Sequence, residues 1–279
     1  MIKILSILAG ITLISSLIVW NVGDHLSSPA YAQIGSPSVE HRAEAVVFEN
    51  VHGWYYPTQA HKACILLMHG IRSNRKEMVG RAIFLQEEGY SSFAVDLQAH
   101  GETPGERITY GYQESESAHS AVKFLYTQKN CSKVVSLGSS LGGAASLLGD
   151  KPIDVDGYIL EAVYPSIESA VENRLKVRLG TFSEILAPLL YQQIPLRLGI
   201  TLDLLQPVAV IKTVKSPVLI MNGTEDKRTT IEEAKSLYNN APHPKKFVQI
   251  DGASHTDLYN HNSDLYKKVV LDFLSKYVD

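Results

Sequence analysis

The stretch "VVSLGSSLGGAASLL", Val134 to Leu148, decides how this chain is read. A short β-branched run gives way to a glycine–serine corner and then to a helix-forming stretch of small and apolar residues. Gly138-Ser139-Ser140-Leu141-Gly142 matches G-x-S-x-G, a strained strand-to-helix turn that lifts its central serine oxygen above a sheet. Ser140 holds that central position. Ser139 occupies the free position, where any small side chain serves as turn filler. Five residues alone prove little. The strand composition of Lys133 to Leu137 before them and the unbroken Leu141 to Leu148 after them supply the context.

Working outward from about Ala43, short apolar runs alternate with amphipathic ones. "AEAVVFEN" and "GWYYP" predict an opening hairpin, followed by strands at "CILLMHG" and "SSFAVDL" and a helix near Met78 to Glu88 between them. Further on come a helix around Glu114 to Thr127, the elbow, the strands "GYILEAV", "PVLIMNG" and "KFVQI", and helices at Ile231 to Asn239 and Ser263 to Tyr277. In the last helix Leu265, Val269, Phe273 and Leu274 share one face. Such alternation implies a mostly parallel sheet covered by helices on both faces, with catalytic groups in the loops at the carboxyl ends of its strands.

A serine hydroxyl is a weak nucleophile and needs a base within hydrogen-bond reach, itself oriented by a carboxylate. After Ser140, Asp226 in "GTEDKRTT" follows one predicted strand and His255 in "DGASHTDLY" follows the next. Among 10 histidines, His255 is the one in a loop directly after the last strand, whereas His243 and His261 read as surface residues. Glu225 ranks second as the orienting acid. Asp96 precedes the serine and suits a structural role on turn amides. Donors for a developing oxyanion are expected from the Leu141 amide and from the Ile71 amide, after the His69-Gly70 turn of "LMHGIRSN".

On "LLMHGI", "AVDLQAHGET", "GSSLGG", "NGTEDKRT" and "GASHTD", the chain from about Ala43 to its end resembles the α/β-hydrolases, in the serine-hydrolase branch that holds serine aminopeptidase-like and monoacylglycerol lipase-like enzymes. The resemblance implies an α/β-hydrolase fold with a helical cap insertion, Ser140, Asp226 and His255 as catalytic triad, and Ile71 and Leu141 as oxyanion donors. It departs from the family at Gln98-Ala99, before a His-Gly pair in a loop that is not catalytic. The cap corresponds to residues 164–216, where Ile167, Val171 and Leu175 form one helical face and "ILAPLLYQQIPLRLGI" is apolar, interrupted by Pro188 and Pro195. Those apolar faces are expected to pack on the main domain, with an acyl-binding wall as the sharper alternative.

The 279 residues, 45% hydrophobic and 20% charged, suit one catalytic domain, read as 43–279. A net charge of -3 without a dense basic run excludes a nucleic-acid partner. No cofactor and no metal is expected. Ahead of the domain, Lys3 precedes an uncharged stretch from Ile4 to Gly23, about long enough to cross a bilayer as a helix. Residues 1–32 therefore read as a signal peptide or membrane anchor, and 33–42 as a linker. Ala30-Tyr31-Ala32 matches a cleavage pattern, so two outcomes stay open: a membrane-anchored enzyme with its domain outside the cytoplasm, or a periplasmic or secreted one cut after Ala32. Membrane contact would run through the apolar segment if it is retained. The compartment reads as oxidising, yet Cys64 and Cys131 are expected as free thiols, because Cys131 lies two or three residues farther from the site.

The functional expectation is a serine hydrolase cleaving a small-molecule carboxylic ester with a small or medium apolar acyl group, through an acyl-enzyme. The runner-up is an aminopeptidase, whose cap would need a carboxylate for the substrate ammonium from Glu168, Glu172 or Glu184. A noncatalytic binding module on the same scaffold is the third reading, disfavoured because every triad member is present.

Overall fold

The computed structural model describes residues 16–60, 62–255 and 257–278. Residues 1–15 of the predicted leader lie outside them. Helix α1 covers residues 16–27, followed by β1 (Ala30–Tyr31), β2 (Glu44–Phe48), β3 (Val51–Tyr56), β4 (Cys64–Met68), α2 (Val79–Glu87), β5 (Ser91–Val95) and β6 (His100–Gly101). Then come α3 (Glu114–Gln128), β7 (Val134–Ser139), α4 (Leu141–Leu147) and β8 (Gly157–Glu161). The segment between β8 and β9 (Val218–Gly223) is helical: α5 (Ile167–Leu179), α6 (Ser183–Tyr191), α7 (Ile194–Leu198) and α8 (Pro207–Val210). The chain closes with α9 (Ile231–Asn240), β10 (Lys245–Ile250), α10 (Leu258–His261) and α11 (Ser263–Tyr277).

The main sheet runs β10-β9-β8-β7-β4-β5-β3-β2, with β2 and β3 antiparallel at one edge and the other strands parallel. Alternation along the central strands feeds two cores. Leu66 and Met68 of β4 join Phe93, Phe124, Leu125 and Ala144 on one face, while Ile65 and Leu67 join Leu85, Tyr266 and Phe273 on the other. The predicted face of α11 is buried at Val269, Phe273 and Leu274, along with Tyr266 and Val270, and Leu265 packs at its margin. Parallel order carries the carboxyl ends of β4, β7, β8, β9 and β10 to one rim.

The two cysteines correct the expectation of free thiols: Cys64 and Cys131 form a disulfide with Cα atoms 6.0 Å apart. The stagger is real, since Cys64 stands opposite Val134 in the sheet. The chain before β7, however, is folded back rather than extended. Asn130 takes a left-handed φ of 53°, and the Cys131 amide donates to the Leu125 carbonyl at the end of α3, which returns the sulfur to the strand.

The described part of the segment read as leader and linker, residues 16–42, also makes bonds to the domain. Ala30 and Ala32 donate their amides to the carbonyls of Ala99 and Gly101, and the Ile34 side chain is buried. Asp24 of α1 accepts hydrogen bonds from both Arg107 and Arg197, and Arg197 also donates to the Trp20 carbonyl and covers the Trp20 ring. Among the described residues no helix is long and apolar enough to cross a membrane.

The helices between β8 and β9 bury only part of their apolar surface. Ile167, Ala170, Ala187, Leu190 and Ile194 are buried, whereas Phe182, Ile185, Leu189 and Leu196 face solvent. Their apolar residues therefore exceed what packing on the main domain uses.

Candidate active site

Ser140 sits between β7 and α4 with φ 48° and ψ -104°, a conformation costly for any residue with a Cβ. Packing holds it there. A side chain at Gly142 would collide with the Met68 carbonyl and one at Gly138 with the Gly142-Gly143 backbone, so the two motif glycines let α4 close down on β7 and β4. The Ser140 amide donates to the Glu161 carbonyl at 2.7 Å, which ties the corner to the end of β8.

The loops after β9 and β10 bring the other two predicted residues to this corner. His255 Nε2 lies 3.2 Å from Ser140 Oγ, and His255 Nδ1 lies 2.8 Å from Asp226 Oδ2. Asp226 is buried, and its Oδ1 accepts the amides of Arg228 and Thr229 at 2.8 and 2.9 Å, so the carboxylate is fixed from behind while Oδ2 faces the ring. Glu225, the second-ranked acid, is exposed and makes no bond to His255. His243 and His261 stand away from the corner, His261 on the Asp251 carbonyl.

The Leu141 amide opens α4, where no preceding helical turn supplies an acceptor. Ile71 and Ser140 both line a cavity of about 260 Å³, together with Gly70, His255, Arg174 and Arg228. The turn carrying Ile71 is held by His69, whose Nε2 accepts the Leu97 amide at 3.1 Å and whose Nδ1 therefore donates to the Gly70 carbonyl at 2.8 Å. Complete burial pushes the His69 pKa down to about 4, and burial together with the adjacent His69 pushes His100 down to about 3, so both rings stay neutral at ordinary pH. The Gly70 amide is taken by Glu77 Oε2 at 3.2 Å. Asp96 has the structural role expected of it, accepting the Arg75 and Glu102 amides and pairing with the Arg75 guanidinium.

Sequence reasoning missed the buried network beneath the corner. Arg81 of α2 donates to both carboxylate oxygens of Glu161, Nε at 3.1 Å and Nη2 at 2.6 Å, and Tyr266 donates its hydroxyl to the same carboxylate. Arg81 also reaches Asp257, two residues beyond His255, at 3.5 Å. The signal was a glutamate ending an otherwise apolar strand, "GYILE". Arg174 and Arg228 were missed as well, because arginines on an amphipathic helix and in a polar turn look like ordinary surface.

None of Glu168, Glu172 and Glu184 lines the cavity. Glu168 accepts from Gln206, and the other two are exposed. Among the described residues no cluster of His, Cys, Asp and Glu has the makings of a metal site.

Residues 59–206, more than half of the chain, match the family described as serine aminopeptidase, S33. In sequence, the chain is 23% identical over 234 residues to the uncharacterised Bacillus subtilis protein YqkD, covering 82% of this chain and 77% of that one. It is also 23% identical over 232 residues to a Bacillus subtilis carboxylesterase, covering 76% of this chain and 92% of that one. In three dimensions the Pyrococcus furiosus esterase Pf2001 superposes with a TM-score of 0.70 at 20% identity, covering 90% of this chain and 97% of that one. The fold is thus that of the α/β-hydrolases, with a mostly parallel central sheet between helices.

Proposed function

The chain belongs to the serine aminopeptidase S33 family of α/β-hydrolases, and on that premise we propose that it is a serine hydrolase cleaving a small-molecule carboxylic ester through an acyl-enzyme. The observation that carries this is the His255 ring bridging Ser140 Oγ at 3.2 Å and Asp226 Oδ2 at 2.8 Å. Ser140 attacks the ester carbonyl as His255 Nε2 takes its proton. The amides of Ile71 and Leu141 stabilise the oxyanion, and the alkoxide leaves with the proton returned by His255. Water, deprotonated by the same ring, then releases the acid. Asp226 holds the imidazole in the tautomer whose Nε2 is free to accept.

The ester reading is favoured over aminopeptidase action because the cap carboxylates that would hold a substrate ammonium are absent from the cavity lining. Purified protein incubated with 4-nitrophenyl butyrate, an aminoacyl 4-nitroanilide and a fluorophosphonate probe tests both. Ester turnover with labelling at Ser140 is expected, and Ser140→Ala is expected to abolish both, at on the order of a millionfold in turnover, while Ser139→Ala keeps the label. Labelling that survives Ser140→Ala sinks the assignment.

We also propose that the domain is exported with its amino-terminal segment retained. Support comes from Lys3 ahead of the apolar stretch, from the Cys64–Cys131 bond, and from the bonds of Ala30 and Ala32 to the domain, which cleavage after Ala32 would sever. Retention would leave membrane contact to that segment. A mature protein whose mass begins at Gln33 would refute retention, and a protein found reduced in the cytoplasm would refute export.

A further inference from the structure

Arg174 of α5 and Arg228, in the turn after β9, line the same cavity as Ser140 and His255. They are brought together by Asn173, whose Nδ2 donates to the Arg228 carbonyl at 3.3 Å and to both carboxylate oxygens of Glu233 at 2.8 Å. The helix that carries Arg174 is thereby fastened to the turn that carries both Asp226 and Arg228.

Two like charges side by side repel each other, and folding normally places a carboxylate between them. Here no carboxylate bonds to either one: Arg228 is exposed to solvent, and the Asp226 charge acts on Arg174 only through space. Among the described residues no ion pair includes either guanidinium. Arg174 donates only to the carbonyl of Ala170, one turn back on its own helix, at 3.1 Å. The two acids that line the cavity are already engaged, Glu77 by the Gly70 amide and Asp257 by Arg81 and the Asn260 amide. Burial above all pulls the Arg174 pKa below its ordinary value, and the Arg228 charge adds to it against the opposing influence of Tyr164 and Asp226.

From this geometry we infer that Arg174 and Arg228 form an anion subsite, and that the substrate is an ester carrying a carboxylate or a phosphate beside the bond that Ser140 cleaves. A planar guanidinium binds either group through paired charge-assisted hydrogen bonds, and two of them converging from separate elements accept one oxyanion group between them. The inference rests on the ester-hydrolase reading and names its substrate class.

Steady-state kinetics on matched pairs tests it. Mono-(4-nitrophenyl) glutarate is compared with 4-nitrophenyl valerate, and 1-butyryl-glycerol 3-phosphate with 1-butyrylglycerol, using the full chain. The expected result is a kcat/KM at least roughly tenfold higher for the anionic member of one pair, carried by KM. Which pair shows it distinguishes carboxylate from phosphate. In Arg174→Gln and in Arg228→Gln the anionic-to-neutral ratio should collapse by about tenfold, with partial recovery in Arg174→Lys. Because each ratio is internal to one preparation, a loss of folded protein does not alter it. Equal rates within both pairs, or ratios unchanged by either glutamine variant, overturn the subsite. If neither member of either pair is hydrolysed, the hydrolase reading fails instead.

Discussion

The carbonyl of Glu161 accepts the amide of Ser140, while the Glu161 side chain lies in a bidentate pair with Arg81. One residue at the end of β8 thus supports the nucleophile corner with its backbone and links it through Arg81 to α2, to α11 and to the loop beyond His255. Both side chains are only 2% exposed, so the pair is deeply buried.

Removing one partner of a buried pair leaves an uncompensated charge, and Glu161→Gln should destabilise the fold by about 3–5 kcal/mol. Replacing both, as Arg81→Met with Glu161→Leu, should cost less than the single change. Urea unfolding of the three proteins checks this, and a double variant worse than Glu161→Gln contradicts it.

Asp226→Asn should lower turnover by on the order of 10⁴, because an amide favours the wrong imidazole tautomer and does not stabilise the imidazolium. Glu225→Gln should be mild, since that side chain is exposed and away from the ring. Single-turnover assays of the two variants decide between the acids, and the reverse ranking would move the role to Glu225.

Thiol titration of the denatured, unreduced protein should find no free cysteine. Cys64 and Cys131 are 67 residues apart in sequence. Closing a loop of that length constrains the unfolded chain by about 4 kcal/mol, so Cys131→Ser should lower the urea midpoint accordingly. An unchanged midpoint would mean that the bond adds nothing to stability.

Acid should weaken the fold before it protonates most carboxylates. In the unfolded chain His69 and His100 take up protons near pH 6.5, whereas in the fold they do so only near about 4 and about 3. Between those values the unfolded state binds more protons, so stability is full above about pH 6.5 and falls as pH drops, by on the order of 3 kcal/mol for His69 alone. Urea midpoints measured from pH 7 to pH 4.5 should decline, and His100→Gln should flatten the decline. A flat profile in the parent protein would show that neither ring resists protonation.

Much of this protein is legible along the chain because its information is local. The five-residue elbow pattern, the short apolar runs of the central strands and the apolar face of α11 are each written in residues a few positions apart. The order serine, acid, histidine, each after a strand, sufficed to single out Ser140, Asp226 and His255, since a parallel sheet brings its strand ends to one rim whatever the intervening helices contain. The remaining features depend on distances that no spacing encodes. Cys131 reaches Cys64 through one left-handed residue at Asn130 and a wrapped helix end, which a count of strand residues does not register. Glu161 meets Arg81 across 80 residues, and Arg174 and Arg228 come to line one cavity because Asn173 ties α5 to the turn after β9. Polar side chains acquire partners, or are left without them, only when separate elements pack, so tertiary structure alone decided the disulfide, the buried ion pair and the arginines at the cavity.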